Sequence, residues 1–118
     1  MKKIITIIVI FLVFIGCNKD ENEKLNKYFL AEIVSFDLNC STCVVKFPND
    51  SDVIEIEIGE SENSFYQTIN LDKDTFKVNQ RILVKLRKAE NEEIKNCITL
   101  YPSYNYSNIF IVDWKKEE

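Results

Sequence analysis

The chain has 118 residues, room for one small domain, and a net charge of −4 at pH 7. That acidic balance argues against a nucleic-acid partner, whose phosphates ask for a basic face. It contains no histidine, so the commonest metal ligand and proton shuttle is missing, as is every Ser-His or Cys-His nucleophile pair. No catalytic residue, metal site or cofactor is therefore expected.

In chain order, Lys2 and Lys3 precede an apolar run from Ile4 to Ile15, broken only by Thr6. The run is well short of the ~20 residues a membrane-spanning helix needs, and it is apolar on every face. It fits the core of a signal peptide. Phe14-Ile15-Gly16-Cys17 resembles a bacterial lipobox. A small residue before the cut lets a peptidase approach the backbone, and the thiol can take a diacylglyceryl group as a thioether. Phe14 stands where that pattern usually has Leu. The alternative is an ordinary signal peptide with Cys17 left as a thiol. The lipobox reading makes residues 1–16 a lipoprotein signal peptide and Cys17 the lipidation site. Each buried CH₂ of the attached chains then contributes on the order of 0.8 kcal/mol, so several chains anchor the protein permanently.

Lys19-Asp20-Glu21, close behind that cysteine, resembles the surface-export signal of Bacteroidota lipoproteins. Residues 17–27 read as the lipidated Cys and a flexible polar tether. The expected location is the bacterial outer membrane, lipid-anchored and displayed at the cell surface. An inward-facing position is the alternative.

From Tyr28 the pattern changes to short alternating runs, and residues 28–116 are expected to form one domain. Ala31 to Phe36 predicts a strand, and Cys43 to Phe47 its hairpin partner across the polar turn Leu38 to Thr42. Pro48 to Asp52 is a turn cluster. Val53 to Ile58 alternates, with Ile54, Ile56 and Ile58 on one face and Glu55 and Glu57 on the other, the pattern of a half-buried strand. Phe65 to Leu71 fits a short strand or one helical turn. Arg81 to Arg87 alternates again, with Ile82, Val84 and Leu86 inward. A polar loop then leads to the apolar run Cys97 to Tyr101, and Asn108 to Trp114 predicts the last strand. The charged tail from Lys115 is expected to fray. Asn and Asp are expected to supply the turn conformations, because glycine is scarce.

These elements predict an all-β domain, a small barrel of five to six strands whose closure removes aggregation-prone edges. Their order resembles a group of small Bacteroidota lipoproteins with an OB-like barrel. The residues that carry the likeness are Ala31 to Phe36, Cys40, Leu71 with Phe76, Ile82 to Leu86, Cys97, and Ile109 to Val112. The chain lacks the Gly that often follows the first Cys and has Cys43 in addition. The group is mostly of unassigned function, so the resemblance implies a fold and no activity.

Three features bear on function. Cys40-Ser41-Thr42-Cys43 is a C-x-x-C, but a redox motif of that kind should open a helix, whereas Val44 to Phe47 reads as a strand. The structural reading is a disulfide from Cys97 to one of the hairpin cysteines, worth ~4 kcal/mol if the loop from Cys40 is closed. Cys40, in the turn, is the preferred partner and Cys43 the alternative. Alternation places Cys43 beside Val45 and Phe47 as a buried thiol. Tyr101, Tyr104 and Tyr106 form an aromatic-dense loop. They are candidate contacts for a sugar or peptide, against the simpler reading that Tyr101 sits in a strand while the other two cover the barrel end. Lastly, Glu55 and Glu57 face outward on one expected strand, and Arg81, Lys85 and Arg87 on another. Neighbouring strands would pair them, though a solvated face is the simpler account.

The resulting expectation is a non-catalytic, lipid-anchored binding or accessory module, an inhibitor or immunity-type protein being one version. Its partners would be the membrane, through the lipid, and an unidentified protein or glycan, with the domain monomeric. The alternative is a thiol-disulfide redox protein using Cys40 and Cys43.

Overall fold

The computed structural model describes residues 25–102 and 104–117. The signal peptide, Cys17 and the export residues Lys19, Asp20 and Glu21 lie outside the described residues. Five strands form a closed barrel: β1 (Phe29–Asp37), β2 (Thr42–Lys46), β3 (Phe65–Asp72), β4 (Arg81–Lys88) and β5 (Ser107–Lys116). Their order around the barrel is β1-β2-β3-β5-β4. Among the described residues one α-helix, α1 (Ser51–Glu57), lies between β2 and β3. The small all-β barrel expected from the alternating runs is the observed architecture, with five strands.

Period-2 alternation explains which side chains fill the interior. Phe29, Ala31 and Ile33 of β1, Ile82, Val84 and Leu86 of β4, and Ile109 and Ile111 of β5 are all buried in one core cluster. Cys43, Val45 and Phe47 join them from the β2 segment. Tyr66 is fully buried, sets its ring edge-on to Phe47 with centroids 5.8 Å apart, and donates from its hydroxyl to the Gly59 carbonyl at 2.8 Å. Thr68, also buried, donates to the Cys43 carbonyl at 2.7 Å. Leu71 and Phe76 are buried too, and Trp114 meets the Phe76 ring edge-on at 4.8 Å.

Closure depends on the parallel seam between β3 and β5, which pairs only Tyr66 to Thr68 with Ser107 to Ile109. Beyond that ladder the Asn70 side chain substitutes for a strand. Its Nδ2 donates to the Ile111 carbonyl at 2.7 Å, and its Oδ1 accepts from the Ile111 amide at 2.9 Å. Without it, backbone groups on β5 would face an open seam.

Val53 to Ile58 is a helix segment and not the expected strand. Ile54 and Ile58, four apart, both reach the core, while Ile56 is 78% exposed. A strand would have buried all three. The five strands already close the barrel, so a sixth has no edge to join. A helical turn instead seats two isoleucines in the core cluster with Phe47 and Tyr66. Gly59 ends the segment at φ +127°, a backbone conformation that suits glycine.

Other boundaries also move. Cys97 to Tyr101 forms no strand, and Lys115 and Lys116 do not fray but pair with Leu83 and Ile82. Leu25, placed in the expected tether, packs against the core. Left-handed turn positions fall to Ser41, Asn63, Ser64 and Asn79, so serine shares the role expected of Asn and Asp.

Candidate functional site

The loop from Ala89 to Tyr106 joins the antiparallel strands β4 and β5 and crosses the outer side of β2 and β3. Three devices fix its course. Arg87 grips Glu93 through two bonds of 2.8 Å, and the Glu93 carboxylate also accepts from the Glu90 amide at 3.0 Å. The Arg87 guanidinium, and next that backbone amide, hold the Glu93 carboxyl at about 2. A disulfide joins Cys97 to Cys40, with Cα atoms 5.4 Å apart, ordinary spacing for such a bond. This is the pairing preferred from sequence. Finally, Asn39 Oδ1 accepts from the Leu100 and Tyr101 amides, and its Nδ2 donates to the Tyr101 carbonyl.

The β1–β2 turn presents Asn39 and Cys40 because Asp37 folds it. Asp37 Oδ1 accepts from the Asn39 amide at 2.9 Å and the Cys40 amide at 3.3 Å, and its carbonyl accepts from Ser41 at 2.7 Å. An Asp that bonds the backbone just ahead of it is a standard turn device. Its second carboxylate oxygen accepts from Gln67 Nε2 on β3.

Between loop and barrel lies a groove of about 300 Å³. Val44 and Gln67, opposite each other in the β2–β3 ladder, form its floor. Ser35, Phe36, Asp37 and Leu38 line one side, and Tyr101, Pro102, Tyr104 and Tyr106 the other. The Tyr104 and Tyr106 rings stack at 5.4 Å with planes 13° apart, and Tyr106 sits edge-on to Phe65 at 5.8 Å. Val44 points outward yet is buried, because this loop covers it. The three tyrosines thus converge on one groove wall. Tyr101 is not in a strand, and Tyr104 and Tyr106 cover the side of β2–β3 instead of the barrel end.

The sequence reading missed Asp37, Asn39 and Gln67. An Asp and an Asn in a turn signal local folding, but nothing in the chain places Gln67 or the Tyr101 backbone beside them.

Among the described residues Cys43 is the free thiol. It lies inside β2, fully buried, and burial pushes its pKa up to about 12. The two outward strand faces read for the charges become one strand and one helix. Glu55 and Glu57 are on α1, whereas Arg81 binds Glu32 at 3.2 Å and Lys85 lies over the Tyr28 ring at 4.9 Å. Among the described residues there is no cluster of metal-ligating side chains, and no helix is long and apolar enough to cross a membrane.

No family model matches the chain, and no curated protein or solved structure is significantly similar to it.

Proposed function

We propose that this protein is a non-catalytic binding or accessory module, lipid-anchored through Cys17 to a bacterial outer membrane and displayed at the cell surface. Gly16-Cys17 after an apolar run supports the anchor, and Lys19-Asp20-Glu21 supports display by its resemblance to Bacteroidota lipoproteins. The single observation that carries the binding role is the tyrosine-walled groove over β2–β3. A disulfide and the Asn39 bonds pre-organise its wall, so little ordering entropy opposes a ligand. Strands 2 and 3, with the loops joining strands 1–2 and 4–5, are also the ligand surface of many OB barrels. That likeness is one of fold, and the chemistry of this groove is its own.

The redox alternative has less behind it. Cys43 is followed by strand and not helix, its thiol is buried and hard to ionise, and Cys40 is bonded to Cys97. A nucleophilic thiol needs the opposite environment.

The test is capture from intact cells with the anchored protein and its Tyr101→Ala/Tyr104→Ala variant, alongside mass spectrometry of the N-terminal peptide. The expected result is an acylated Cys17 and a protein or glycan retained by the native protein but lost with the variant. An unmodified Cys17 rejects the anchor. Identical capture by both proteins rejects the groove.

A further inference from the structure

The clamped loop holds large apolar side chains in water. Ile98 is 77% exposed and Leu100 78%. Tyr104, Leu38 and Tyr101 are exposed as well. Leu100 and Tyr101 are fixed to Asn39, next to Leu38, while Ile98 follows the bonded Cys97. Leu38, Tyr101 and Tyr104 share the groove lining, and the Asn39 bond holds Leu100 next to them in the chain. Contiguous apolar surface of this kind marks interaction sites.

The far end of the same groove changes character. Tyr106 is shared with a second, polar groove lined by Glu60, Ser61, Glu62 and Asn105. The loop docks there directly, since the Ser107 amide donates to Ser61 Oγ at 2.8 Å and Ser107 Oγ donates to the Glu60 carbonyl at 2.8 Å. Neither Glu60 nor Glu62 has an ion-pair partner among the described residues. No Lys or Arg occurs from Phe47 to Asp72, a stretch that carries Asp50, Asp52, Glu55, Glu57, Glu60 and Glu62. Neither groove has a Lys or Arg among its lining residues.

We propose that the apolar ridge at Leu38, Leu100, Tyr101 and Tyr104, continued by the acidic shelf at Glu60 and Glu62, docks a partner protein whose contact surface is basic with an apolar centre. This deepens the binding role proposed above and rests on it. Charge complementarity selects the partner: unpaired carboxylates on the rim favour Lys and Arg and speed the encounter, while the ridge supplies the desolvated centre where most binding energy is concentrated. An acidic protein or a phosphorylated surface is repelled by the same rim. A neutral sugar would leave the shelf without a role.

The test is selection of a phage-displayed random peptide library on the full chain held in phosphatidylcholine nanodiscs, followed by fluorescence anisotropy with a selected peptide. The expected peptides combine Lys or Arg with aliphatic or aromatic residues. Their affinity should fall at least tenfold in Glu60→Gln/Glu62→Gln, and again in Leu100→Ser/Tyr104→Ser. All four positions are exposed, so these variants should fold, and circular dichroism checks that. Raising the salt should weaken binding.

Enrichment of neutral or acidic peptides that still need Tyr104 would overturn the basic partner while leaving the groove reading intact. Basic peptides indifferent to Leu100 and Tyr104 would overturn the ridge. A selection that enriches nothing would overturn the proposal. So would a blue-shifted tryptophan signal from Leu100→Trp on added phosphatidylcholine vesicles, because the ridge would then be entering lipid.

Discussion

Asn39 and Tyr101 exchange two hydrogen bonds: Tyr101 N donates to Asn39 Oδ1 at 3.0 Å, and Asn39 Nδ2 donates to the Tyr101 carbonyl at 3.1 Å. A side-chain amide thus does for the loop what a neighbouring strand does for a sheet. The Leu100 amide adds a third bond at 2.9 Å. Asn39→Ala should lower stability by about 1 kcal/mol, since these bonds are exposed to water. Its larger effect should be local, with faster hydrogen exchange at Leu100 and Tyr101 while the β4 amides are unchanged. Equal exchange in both proteins would mean that the disulfide alone holds the loop.

The thiols separate a structural from a redox role. Cys97→Ser should lower stability by roughly 2–5 kcal/mol. Cys43, buried and with its thiol near 12, should resist iodoacetamide until the barrel unfolds. Rapid alkylation of native Cys43, or a Cys40–Cys43 bond in non-reducing peptide maps, would contradict this account and revive the enzyme.

Two isoleucines two residues apart report the helix. Ile54→Ala should cost roughly 2–5 kcal/mol, as for other buried isoleucines. Ile56→Ala should stay within about 0.5 kcal/mol, as exposed positions do. Comparable losses at both sites, measured by urea unfolding, would indicate a strand.

Glu93 gives the loop an acid limit. Its pKa is about 2 in the fold against an ordinary 4.5, so the folded state favours the ionised form. The stabilisation is fully present above 4.5 and is lost as pH falls toward 2. The pair is only half-buried and open to water, so the effect should be small. The difference in melting temperature between native protein and Arg87→Gln should therefore shrink steadily from pH 5 to pH 2.5. A difference independent of pH would contradict the pairing.

The barrel was legible because its strands obey a local rule. In β4, Ile82, Val84 and Leu86 alternate with Arg81, Leu83, Lys85 and Arg87, and that period needs no tertiary information. The helix was not legible, because Ile54 and Ile58 satisfy both a two-residue and a four-residue period. Only barrel closure, which leaves no edge for a sixth strand, exposes Ile56. The tyrosines were visible as a cluster, but their place was not. It depends on the Asn39 bonds to a segment 62 positions away and on the disulfide across 57. The outward strand face read for Glu55 and Glu57 went with that strand, since both lie on α1.

The central claim is that the tyrosine groove receives a partner at the cell surface. Site-specific photo-crosslinking on intact bacteria tests it most directly, with a photoreactive phenylalanine at position 104 and a control at Val78, which is exposed on the β3–β4 connection. A discrete adduct at position 104, absent at 78 and abolished when Cys97→Ser and Asn39→Ala together free the loop, is the expected result. An adduct at 78 alone, or one at 104 that survives the double substitution undiminished, would contradict the claim.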